Sequence, residues 1–137
     1  MNESTLKIAL EAAAAVQLTV ATLNLGLKRM LGWQAEIERQ SLLLKEVIHV
    51  HTWYISLTLA IFAVLTLRFA TAFASGAEPL VRWLAAAIGL FWGLRVVIQI
   101  LYYSASHWRG RPGRTAIHVA CLVIYGALTA IYAIAAR

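Results

Sequence analysis

Four histidines, His49, His51, His107 and His118, are the residues of this 137-residue chain best suited to chemistry. An imidazole titrates near neutrality, ligates metals and haem iron, and relays protons. His49 and His51 open one apolar stretch, His107 follows the end of the next, and His118 opens the last. Stretches that alternate in direction bring those ends to one side. Imidazoles among lipid are costly enough to mark a functional site. His49 and His51 are only two residues apart, about 200° on a helix, so they diverge and at most three imidazoles converge.

Three kinds of chemistry fit this pattern. A bis-imidazole haem b takes His49 and His118 as axial ligands, with Arg109 and Arg111 for the propionates. A transition-metal site takes His118 and Cys121, three apart on one helix face, together with His49 and His107. A proton relay or quinone site takes His49, Glu46 and a tyrosine, with His51 in support. Glu46-x-x-His49 is half of a di-iron ligand set. A single copy and too few carboxylates exclude a di-iron centre. The alternative to all three is histidines near a membrane interface that simply keep one end in water.

A second polar pattern is Arg95, Gln99, Tyr102 and Ser106, which recur at four, three and four residues and so share one helix face. Arg95 lies roughly 22 Å from the start of its apolar stretch. A central arginine costs about 2.5–3.5 kcal/mol on the insertion scale unless it is paired or wet. The chain has no aspartate. The partners open to Arg95 are Glu46, a carbonyl, a tyrosine or an anionic ligand. Gln17, Ala21, Asn24 and Lys28 share a face of the first stretch, with Asn24 expected to hydrogen-bond between helices on the histidine side.

The elements that must position these groups follow from composition. Hydrophobic residues make up 61% of the chain, charged residues 13%, and the mean hydropathy is +0.74, outside the habit of soluble domains. About 20 apolar residues cross the hydrocarbon as a helix. Four such spans are read at about 6–27, 43–67, 80–104 and 115–135, leaving no separate soluble domain. Ser4 or Thr5 is expected to cap the first, and Thr115 the fourth. Trp33–Lys45 reads as a short interfacial helix, and Ala74–Pro79 as the turn before the third span. Gly89-x-x-x-Gly93 suits close helix packing, internal or between two copies. Met1–Leu6 lacks a basic segment and Glu11 interrupts the apolar run, so the first span is expected to be retained.

Seven basic residues (Lys28, Arg29, Arg39, Lys45, Arg109, Arg111, Arg114) lie in the segments after spans one and three, against four (Lys7, Arg68, Arg82, Arg137) on the other side. The excess places those segments in the cytoplasm and both termini outside a bacterial-type cytoplasmic membrane. The net charge of +6 is thereby assigned to topology and anionic lipid headgroups rather than nucleic acid. Cys121 is the lone cysteine, so no intrachain disulfide forms.

The sequence therefore predicts an all-α membrane protein, an antiparallel four-helix transmembrane bundle with one interfacial helix. Its expected feature is a cytoplasm-side pocket of histidine, Arg95 and Tyr102 that binds haem b, a quinone or a metal. The alternatives are an accessory subunit that holds a membrane-protein partner or a second copy of itself, and a lipid-processing or anion-binding protein built on Arg95. No motif matches a small four-span family residue for residue.

Overall fold

The computed structural model describes residues 2–103 and 112–137. Regular structure among them is helical throughout: α1 (Glu3–Met30), α2 (Gln34–Glu38), α3 (Leu42–Arg68), α4 (Ala70–Ser75), α5 (Pro79–Leu101) and α6 (Pro112–Ala135). Helices α1, α3, α5 and α6 are long and apolar enough to cross a membrane. Even the shortest, with 23 residues, runs roughly 35 Å at ~1.5 Å per residue, against roughly 30 Å of hydrocarbon. The readings placed on Ser106, His107, Arg109 and Arg111 fall outside the described residues.

Local chemistry sets the helix ends. The side chain of Asn2 accepts the Thr5 amide at 2.8 Å, so α1 is capped by Asn2 rather than by Ser4 or Thr5. The other end closes on Gly32, at φ 68°. There the Trp33 amide reaches Lys28 O at 3.0 Å and the Gly32 amide reaches Arg29 O at 3.2 Å. That pairing is a Schellman closure, and it needs a residue tolerant of positive φ. The interfacial helix expected over Trp33–Lys45 shortens to the five residues of α2, because Ser41 caps a new helix: its hydroxyl accepts the Leu44 amide at 3.4 Å.

Several boundaries differ from the sequence reading. Residues 70–75 form the extra helix α4, which ends on Gly76 at φ 57°. Helix α6 starts at Pro112 instead of Thr115. Proline at a helix start gives up an N–H that had no intrahelical partner anyway.

The chain divides into two compact units: Glu11–Arg68, and Met1–Leu10 together with Phe69–Arg137. In the first, Asn24 ties α1 to α3. Its amide donates to Thr52 O at 3.1 Å and to the Ser56 hydroxyl at 2.9 Å, as expected of that stripe. Gln17, two stripe positions before Asn24, is fully buried. The α3 threonines return their hydroxyls to the preceding turn, Thr52 to Ile48 O and Thr66 to Phe62 O, each at 2.7 Å. Each of these two hydroxyl protons thereby has an acceptor in an apolar setting.

The second unit is organised by α5 against α6. Gly89 faces Tyr132, Gly93 faces Thr129, and Gln99 faces His118, so numbers rise along one helix as they fall along the other. A Cβ on Gly89 would lie 3.3 Å from Tyr132 Cβ, and one on Gly93 3.4 Å from Thr129 Cγ2. The glycine pair therefore serves internal packing, where it lets two backbones approach. Around it Trp92 stacks on Tyr125 at 5.3 Å and 28°, and Phe73 of α4 meets Tyr132 edge-on at 6.4 Å. Each such aromatic pair contributes about 0.5–1.5 kcal/mol beyond the area it buries.

Candidate functional site

The side chains of α5 and α6 change character along their contact. Near the start of α5 the contact is apolar and aromatic, through Ala85, Ile88 and Trp92 against Leu128, Tyr132 and Ala135. Toward the end of α5 it becomes polar. Arg95 and Gln99 are four apart and so share a face, and on α6 His118, Cys121 and Tyr125 recur at three and four.

Arg95 sits within α5, about 9 Å from its end at Leu101 by helical rise. Its guanidinium carbon lies 5.3 Å from the centre of the Tyr125 ring and 5.7 Å from the centre of the Tyr103 ring. Cation–π contacts of this kind are worth roughly 0.5–2 kcal/mol each, the upper end applying where water is excluded. Two of them offset much of the roughly 2.5–3.5 kcal/mol charged for an arginine at the centre of a span. Among the described residues Arg95 makes no hydrogen bond and no ion pair. Of the partners open to it from the sequence, the tyrosine is the one found.

One turn further on, the Gln99 amide donates to Nδ1 of His118 at 2.8 Å. Gln99 is 5% exposed and His118 half-buried. An Nδ1 that accepts carries no proton, so the neutral ring bears its hydrogen on Nε2. The pair fixes both the tautomer and the orientation of the imidazole. Cys121, three residues along the same helix and one turn before Tyr125, is half-buried.

The other expected site residues are placed as follows. Tyr102 was expected beside Arg95, but α5 ends at Leu101, and beyond the helix the three-and-four spacing no longer holds. Tyr102 is 83% exposed and meets Tyr103 edge-on at 6.1 Å, while Tyr103 supplies the ring at Arg95. In the other unit, Glu46, His49 and His51 all have exposed side chains. His51 Nδ1 donates to Val47 O at 2.9 Å, within its own helix. Among the described residues no three histidine, cysteine or acidic side chains gather closely enough to share a metal ion. Trp92 fills core, at 1% exposure, and Trp53 is exposed.

Two residues of the site escaped the sequence reading. Tyr103 falls outside the four-and-three spacing of Arg95, Gln99 and Tyr102, so the helix pattern did not mark it. Tyr125 carried a usable signal, since it follows His118 by seven and Cys121 by four, and so lies on their face of α6.

Compared with protein-family models, characterised proteins and solved structures, the chain matches none.

Proposed function

We propose that this chain is a small integral membrane protein of a bacterial-type cytoplasmic membrane, an antiparallel four-helix bundle that binds a ligand at the polar face shared by α5 and α6. Its termini lie outside and its basic segments inside, as the charge asymmetry favours. The observation that carries the reading is Arg95: a guanidinium within an apolar helix, clasped by two tyrosine rings, with no hydrogen-bonding partner among the described residues. Polar groups in such positions are retained where they meet a substrate, an ion or a cofactor. Arg95, Gln99 and His118 form the binding set, and the rings of Tyr103 and Tyr125 hold the guanidinium.

The test is co-purification. Wild-type protein and Arg95→Gln are purified from the same membranes in the same detergent, and the small molecules released on denaturation are compared by mass spectrometry. A species stoichiometric with wild type and lost from the variant supports the site. Identical sets from both remove it.

A further inference from the structure

The ligand site just proposed also carries a statement about the chemistry of its occupant. Resting on that reading, we infer that the occupant is an amphiphile with an oxyanion headgroup, a phosphate or a carboxylate, received by the edge of the Arg95 guanidinium.

Three observations lead there. The first is the set of groups around the cation. Tyr103 and Tyr125 both lie within cation–π distance of Arg95 Cζ, at 5.7 and 5.3 Å. Such contacts answer the positive charge but bring no oxygen or nitrogen acceptor to the guanidinium N–H groups. The five donors of the guanidinium have no acceptor among the described residues. Leaving them bare in a low-dielectric setting is expensive, so an acceptor must come from outside the two helices.

The second is charge. Helix α5 and helix α6 contain no aspartate or glutamate along their whole lengths. The two helices that build the site therefore supply a cation and no counter-charge. A ligand that brings one is favoured over a neutral ligand of the same shape, and more so as water is excluded.

The third is the shape of the donor. A guanidinium presents two parallel N–H bonds that match the two oxygens of a carboxylate or phosphate. The Gln99–His118 pair beside it offers a further polar surface one turn away. An amphiphile is specified because the flanking side chains, Leu94, Val97 and Ile98 among them, are exposed and apolar, so a tail meets hydrocarbon while its head meets Arg95.

The experiment uses purified full-length protein in dodecyl maltoside, whose headgroup is uncharged. Dodecyl phosphate, dodecanoate and decylubiquinone are titrated separately, and bound complexes are counted by native mass spectrometry. The inference expects at least one of the two anions to bind one-to-one, with affinity reduced at least tenfold in Arg95→Gln. The ratio between dodecyl phosphate and dodecanoate assigns the headgroup. Arg95→Lys, which keeps the charge, is the control for folding and is expected to bind more weakly than wild type because it lacks the fork. If decylubiquinone binds in an Arg95-dependent way and neither anion does, the site stands and the oxyanion assignment is overturned. If no probe depends on Arg95 in either variant, the site and the assignment both fall.

Discussion

The Gln99 amide and the His118 imidazole meet across the α5–α6 contact at 2.8 Å, with the amide donating and Nδ1 accepting. One is largely buried on the third long helix and the other half-buried on the fourth. Their bond defines a single tautomer for His118, with the proton on Nε2. Gln99→Leu removes that constraint. We expect the ¹⁵N spectrum of the His118 ring to change from one tautomer to a mixture, and stability to fall by about 0.6 kcal/mol, the average for interhelical hydrogen bonds in membranes. An unchanged ring spectrum would contradict the assigned donor.

Gly89, Gly93 and Gly126 form an internal comparison. A Cβ at Gly89 meets Tyr132 at 3.3 Å, one at Gly93 meets Thr129 at 3.4 Å, and one at Gly126 meets nothing within 4 Å. Substitution by isoleucine should lower the melting temperature most at Gly89, less at Gly93 and least at Gly126, with overpacking costing about 1–3 kcal/mol at the first. The reverse order would mean that α5 and α6 do not approach at their glycines.

Tyr125 is shared between two contacts, the stack on Trp92 and the cation–π contact with Arg95. Tyr125→Phe keeps the ring and should leave both nearly intact. Tyr125→Leu loses both, and a loss of several kcal/mol, as for large aromatic truncations in packed cores, is expected. The near-ultraviolet circular dichroism of Trp92 should collapse in the second variant alone.

Asn24 and Ser56 form the side-chain bond between α1 and α3, at 2.9 Å. A double-mutant cycle with Asn24→Leu and Ser56→Ala should give a coupling energy of about 0.6 kcal/mol and no more than about 1.7 kcal/mol. A coupling near zero would place the two side chains apart.

Topology is checked with fusions. Alkaline phosphatase joined after Arg137 should be active, because the last helix is expected to end outside. The same enzyme joined after Gln40, between the first two long helices, should be inactive. The opposite pattern inverts the orientation.

Much of the helical architecture was legible because apolar runs of roughly 20 residues leave little choice of structure. The four-residue spacing of Arg95 and Gln99 sets them on one face of α5. The depth of His118 near the start of its helix matched it to His49 in the sequence, whereas the structure pairs it with Gln99, which periodicity within single helices could not foresee. Asn24 was read as an interhelical donor, and the glycine spacing as a packing device with its partner left open. What the spacing could not carry was geometry past a helix end. Tyr102 continued the stripe in the sequence, yet α5 stops at Leu101, and the chain beyond it turns Tyr103 toward Arg95 instead. Nor could periodicity rank Tyr125 among the aromatic residues, because its importance lies in the arginine opposite. Helix α4 was missed for a related reason: Ala70–Ser75 is too short to show a period, and the glycine that ends it was read with the turn.

The central claim, that Arg95 anchors a ligand within the α5–α6 face, is tested most directly by thermal unfolding. Wild type and Arg95→Gln are melted in dodecyl maltoside while the total lipid extract of their own membranes is added back. A ligand present at about 100 times its dissociation constant stabilises the folded state by about 2.7 kcal/mol. The account predicts a saturable rise in the wild-type melting temperature that Arg95→Gln does not share. An equal rise in both proteins would contradict it.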